Sequence, residues 1–227
     1  MKLIRFAALA SGLAMTGALL VPATAQAAAP AAPKPKPVRV KVDVDGDGRK
    51  DAVTVTKLSS TRYEIKVTTA KKRTSSIKIT STFESDWGAN PYWGAAKLDK
   101  VKGHELLVAT GGGDGWTTTV LTWRKNKLVR QAAPKDRSSK YSWYAAALPD
   151  WLLSGYRFYN KSGKRYVEQY TLFKMGTPRW EGQLTTSKWT SKGWKKVGKT
   201  KTVSLTNAQA KKYNNGGFIG VKIVARP

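Results

Sequence analysis

Four aspartates within nine residues constrain this chain more than any other stretch of it. Asp43-Val44-Asp45-Gly46-Asp47-Gly48-Arg49-Lys50-Asp51 places carboxylates at positions 1, 3, 5 and 9 of a loop, with glycine at positions 4 and 6. The chain holds 41 Lys and Arg against 14 Asp and Glu, so acids gathered this closely are exceptional here. Neighbouring carboxylates resist ionising together unless a cation lies among them. A calcium ion takes six to eight oxygens at roughly 2.3–2.6 Å, and aspartates at alternate positions of a tight loop aim at one centre. Asp43, Asp45, Asp47 and Asp51 are therefore the expected side-chain ligands, with the Arg49 carbonyl as backbone ligand. Gly46 and Gly48 permit the backbone angles of so tight a curl. A helix–loop–helix calcium loop places a bidentate Glu at position 12. Here that position is Thr54, inside the alternating run Val53-Thr54-Val55-Thr56. The loop feeds a β-strand, and a helical setting is excluded. The competing reading is a solvated Asp/Gly turn that enters a strand without an ion.

Short alternating runs continue beyond it. Tyr63, Ile65 and Val67 alternate with Glu64 and Lys66, and Ile77, Ile79 and Phe83 alternate with polar neighbours. Alternation of this kind marks half-buried strands. Polar breaks at 59–61 and 71–73 separate them, which predicts an antiparallel meander with one buried and one basic, wet face. Farther on, strands are expected over 117–123 and 128–130 around Lys125-Asn126-Lys127. Two more, over 156–159 and 165–173, flank Asn160-Lys161-Ser162-Gly163, and a further pair over 180–189 and 194–205 flanks Thr190-Ser191-Lys192-Gly193. The Gly-containing turns are hairpin signals. Residues 206–212 suit one or two helical turns capped by Thr206, and 218–224 a last strand.

The acidic unit recurs in weakened form. Residues 98–108 align with 44–54 at an offset of 54 positions, with Asp99 on Asp45, Glu105 on Asp51 and Leu107 on Val53. Lys97 falls on Asp43 and Val101 on Asp47, so two acids are lost and no metal is expected there. A repeat near this length suggests blade-like sheets. The Asp-rich loop entering a strand, the meander behind it and the weakened second copy, together over about residues 40–132, resemble the FG-GAP or VCBS-type repeats of integrin-like β-propellers. The resemblance implies calcium at the ligand positions already given. A full seven-bladed ring does not fit in this length. The fold expected is all-β, with antiparallel meanders in repeat-derived, blade-like sheets (a partial or small propeller), and a β-sandwich as the alternative.

The N-terminus reads as an export signal over residues 1–27. Lys2 and Arg5 precede an apolar run from Phe6 to Val21, then small residues around Ala23 to Ala27. Pro30, Pro33, Pro35 and Pro37 make 28–37 an extended linker, and 38–227 is expected to form a single all-β domain, two repeats over 38–132 and hairpins over 133–227. No transmembrane anchor is expected after processing. The chain contains no cysteine, which excludes disulfides, thiolate metal sites and cysteine nucleophiles. A secreted protein without disulfides gains from a metal brace.

The formal charge is +27, and loss of Lys2 and Arg5 lowers it by only two. Such a surface attracts polyanions over long range. The candidate partners are anionic cell-wall polymers, acidic lipid headgroups and nucleic acid, and the scattered lysines argue against sequence-specific nucleic-acid recognition. Trp189 and Trp194 flank one turn among Lys188, Lys192, Lys195 and Lys196, and Trp87, Tyr92 and Trp93 fall in an expected loop between the repeats. These five are the candidates for ligand contact, set against packing in a β core or across a hairpin. His104 is the sole histidine, and no Gly-x-Ser-x-Gly elbow exists. No catalytic residue is assigned. The expected function is a secreted or extracellular, envelope-associated, non-catalytic calcium-binding module with affinity for polyanionic surfaces. The alternatives are a secreted hydrolase or lyase acting on an acidic polymer, or a purely structural exported domain.

Overall fold

The computed structural model describes residues 36–84, 90–134, 140–174, 176, 178–214 and 217–227. The expected signal segment 1–27, nearly all of the linker and Trp87 lie outside the described residues. No helix among the described residues is long and apolar enough to cross a membrane.

The fold is all-β with antiparallel meanders. The first comprises β1 (Val38–Val42), β2 (Asp51–Lys57), β3 (Arg62–Thr68) and β4 (Thr74–Thr80), in that order across a four-stranded sheet. The second comprises β5 (Tyr92–Ala96), β6 (Glu105–Gly111), β7 (Trp116–Arg124) and β8 (Lys127–Arg130). β5, β6 and β7 each begin 54 positions after β1, β2 and β3. The register recurs too: Val42 pairs with Asp51, and Ala96 with Glu105. A bulge between Ala109 and Gly111 then displaces part of the β6–β7 pairing.

The remaining strands extend the second sheet. β9 (Trp143–Leu148) pairs with β7, and β10 (Leu152–Lys161), β11 (Lys164–Phe173) and β12 (Arg179–Thr190) follow in order. β13 (Gly193–Lys196) and β14 (Lys201–Thr206) both pair with β12. α1 (Asn207–Ala210) is capped by Thr206, whose hydroxyl accepts from the Gln209 N–H while the Gln209 side chain accepts from the Thr206 N–H. β15 (Phe218–Ile219) lies parallel to β10. No barrel closes.

The side chains explain the layering. β2 and β3 alternate, burying Val53, Val55, Tyr63, Ile65 and Val67 on one face. That face packs on Tyr92, Leu106, Val108, Leu121 and Trp123 of the second meander. β6 is instead a continuous apolar run, buried on both faces as such runs require. Its Leu107, with Ala96, Leu98 and Val120, meets Trp143, Tyr156, Phe158 and Val167. The second meander is thus a middle layer between two cores. Full burial of each of these branched or aromatic side chains stabilises by about 1.5–3 kcal/mol.

Three expectations are corrected. Residues 92 and 93 are not in a loop; they begin β5. The strand expected over 194–205 is two strands, parted at 197–200, where Gly198 takes a left-handed φ of 71°. The last strand stops at Ile219, and Val224 forms a bridge to Ala95 instead. The β7–β8 and β10–β11 turns are tight two-residue turns with positive φ at both central residues, Lys125 and Asn126, then Ser162 and Gly163. That geometry matches the twist of the strands it joins.

Candidate metal centre

The loop 43–50 crosses from β1 to β2, and its own carboxylates fold it. Asp51, wholly buried at the start of β2, accepts from the N–H groups of Val44 at 2.7 Å and Asp45 at 3.1 Å through Oδ2, and from Ala70 at 2.9 Å through Oδ1. Asp43 accepts from Gly46 at 2.7 Å and Gly48 at 3.1 Å. Asp45 accepts from the Asp47 N–H at 3.2 Å.

This curl brings Asp43, Asp45 and Asp51 together: one carboxylate oxygen of each lies within 4.8 Å of the others. Hard oxygen donors at that spacing fit calcium, which binds six to eight oxygens, with water filling the remainder. Burial raises the Asp45 carboxyl above its usual range; the Asp47 N–H opposes that, and the charges of Asp51, Asp47 and Asp43 add to it. Among the described residues, the ion pairs at this loop go to Asp47 and not to the trio. Asp47 Oδ2 lies 3.0 Å from the Arg49 guanidinium and 3.4 Å from the Lys71 ammonium. The Arg49 side chain, then its backbone N–H, holds Asp47 down at about 2. Asp47 therefore stands outside the trio, and Arg49 enters through its side chain as the partner of Asp47.

A second loop, 97–104, braces the first. His104 donates its backbone N–H and its Nδ1–H to the Asp43 carbonyl, each at 2.9 Å. Gly46 and Gly103 face each other so closely that a Cβ on Gly103 would stand 2.3 Å from the Val44 carbonyl oxygen, and one on Gly46 would stand 2.4 Å from Lys102 Cβ. His104, which looks like a surface residue in sequence, is thus a clamp on the first loop.

The aromatic candidates separate. Tyr92 is 1% exposed and belongs to the first core, so it is no surface contact. Trp93 is half-buried, edge-on to Trp116 at 5.4 Å and to Phe218 at 6.5 Å. Trp189 and Trp194 pair directly across β12 and β13, edge to face at 5.0 Å, and Trp194 packs on Phe158 at 6.0 Å. These rings are engaged in cross-strand and core packing, the reading set against ligand contact in the sequence.

Sequence reasoning missed Arg124. It reaches from the end of β7 to Asp99 and Glu105 of the second loop, at 2.6 Å and 3.7 Å. The bulge in β6 shifts the β6–β7 pairing by one residue, so the counterpart of Arg124 by register in the first meander is Lys71, which pairs with Asp47, and a fixed offset of 54 points to Ala70 instead. Compared with known proteins, the chain matches no protein-family model, no curated protein and no solved structure.

Proposed function

We propose that the loop 43–51 binds one calcium ion as a structural brace of a non-catalytic, exported β-repeat module, whose strongly basic surface holds it near polyanionic polymers. The observation that carries this is the convergence of Asp43, Asp45 and Asp51, whose oxygens lie within 4.8 Å of one another while the nearby Arg49 and Lys71 pair with Asp47. The three carboxylates and adjacent water would supply the oxygens; Asp47 would join only by giving up its cation partners. The ion would neutralise the trio and fix the turn between β1 and β2, at the first core. Export is read from residues 1–27, and attraction to polyanions from the net charge of +27.

The test is thermal melting with calcium and with chelator, for the wild type and for Asp45→Asn. Calcium at ten times its dissociation constant stabilises by about 1.4 kcal/mol, a rise of about 3–6 °C for a domain of this size. The rise should be absent in Asp45→Asn. A wild-type midpoint that does not move with calcium removes the metal from this reading. Retention on an anionic polymer should fall steeply with salt; lack of retention at low salt removes the polyanion.

A further inference from the structure

The second loop keeps the scaffold of the first and changes what fills it. The Val44 N–H donates to Asp51 at 2.7 Å, and 54 positions on the Leu98 N–H donates to Glu105 at 2.8 Å. The Asp47 N–H donates to Asp45 at 3.2 Å, and the Val101 N–H to Asp99 at 2.6 Å. Two of the four acidic positions therefore survive in place, and they lie deep: Asp99 is 7% exposed and Glu105 1%. Two carboxylates withdrawn from water are strongly destabilising without a positive partner.

That partner is in the chain. One terminal nitrogen of Arg124 lies 2.6 Å from Asp99 Oδ2 and 3.7 Å from Glu105 Oε1. Its other terminal nitrogen donates to the Trp123 carbonyl at 2.8 Å, which fixes the guanidinium. In the first meander the matching register position is Lys71, just past β3; its ammonium lies 3.4 Å from Asp47 and, among the described residues, makes no ion pair with the trio. Gln131 adds a separate sign of a cation-binding pocket. Its Nε2 donates to Asp99 Oδ2 at 3.1 Å, while its Oε1, on the same buried amide, has no hydrogen-bond partner among the described residues. A hard cation beside Asp99 would give that oxygen a partner.

We propose that Arg124 is a tethered cation standing where the first loop takes a metal ion, and that Asp99, Glu105 and Gln131 form a latent divalent-cation site which removal of Arg124 opens. The identity of the ion rests on the calcium reading of the first loop; the role of Arg124 does not. A guanidinium from the chain cannot be chelated away, so the second loop stays formed when calcium is withdrawn, and only the first responds.

The experiment counts bound calcium per chain by equilibrium dialysis and follows melting in calcium and in chelator. It uses the wild type, Asp45→Asn, Arg124→Ala and the double variant. Arg124→Ala should bind one ion more than the wild type, and the double variant one more than Asp45→Asn. In chelator Arg124→Ala should melt below the wild type, or be unfolded, and calcium should restore it. An unchanged ion count in a folded Arg124→Ala protein overturns the proposal, as does a variant that no calcium concentration refolds. If the wild type binds no calcium and Arg124→Ala binds one, the first-loop reading falls and the role of Arg124 stands.

Discussion

Replacing Asp51 with alanine should damage the fold even when no metal is present, and replacing Asp45 should not. The two residues would share an ion, but their oxygens do different work without it. Asp51 is wholly buried and takes three backbone N–H groups, those of Val44, Asp45 and Ala70, at 2.7, 3.1 and 2.9 Å. A buried donor left without an acceptor costs about 1–3 kcal/mol. The Val44 N–H is in a buried setting and should cost about 2 kcal/mol, whereas the two partly buried donors, which water can reach, should cost about 1 kcal/mol each. Asp51→Ala is therefore expected to lose about 4 kcal/mol in chelator, or about 8–16 °C for a domain of this length. Asp45 accepts one partly buried N–H at 3.2 Å and sits among like charges, so Asp45→Ala should change chelated stability by about 1 kcal/mol or less. The assay is thermal or urea unfolding followed by circular dichroism, in chelator throughout. A loss under about 1 kcal/mol for Asp51→Ala would refute the claim that this carboxylate organises the loop.

Two further perturbations test the interlock and the core. Gly103→Ala, with a φ of 99° and a new Cβ 2.3 Å from the Val44 carbonyl, should destabilise far more than Gly193→Ala, whose φ is 104° but whose Cβ would meet nothing within 4 Å. Urea midpoints should separate the two, the second costing only about 1–2 kcal/mol of backbone strain; equal losses would mean the loops are not in contact. Burial raises the hydroxyls of Tyr63, Tyr92 and Tyr170, and burial with the neighbouring Glu168 charge pushes Tyr213 up to about 12. Unfolded tyrosine ionises near 10.0, so the unfolded chain loses these protons first. Stability is then full below pH of about 10 and falls as pH rises through the folded values. Ultraviolet titration should show these hydroxyls ionising only with unfolding, and Tyr213→Phe should reduce the alkaline loss.

The all-β class was legible because its two signals are local. Alternation in β2 and β3 and the turn residues before β8 and β11 each act over a few positions, and the backbone obeys them. The three carboxylates that converge were legible for the same reason, since a nine-residue loop has little freedom. Asp47 departs because Arg49, two residues on in the same loop, pairs with it, and because Lys71, placed beside the loop only once β3 has returned, adds a second cation. β5 was hidden because Tyr92 and Trp93 follow Asn90 and Pro91, which read as loop, and because the partner that fixes it, β6, is known only from the sheet. The second side of the middle layer was invisible for a similar reason: a continuous apolar run such as Leu106–Ala109 says that both faces are covered without saying by what.

Layer position also explains why the two loops would differ in their cation. The first loop opens at the outer meander, where Gly48, Arg49 and Lys50 are exposed and an ion can exchange with solvent. The second is exposed at its tip, Lys100 to Lys102, but its two acids Asp99 and Glu105 are buried, where Asp43 and Asp45 of the first are only half-buried. His104 and Gly103 hold it against the first loop. From β11 Arg165 donates to the carbonyls of Leu98 at 2.9 Å and Lys97 at 3.1 Å. Loss of an exchangeable ion there would strand two buried carboxylates. A cation carried on β7 arrives with the strand as the chain folds and cannot leave while the strand is paired. With acids absent at Lys97 and Val101, two carboxylates remain, and two guanidinium groups serve the loop: Arg124 at the pair itself and Arg165 at the adjoining carbonyls.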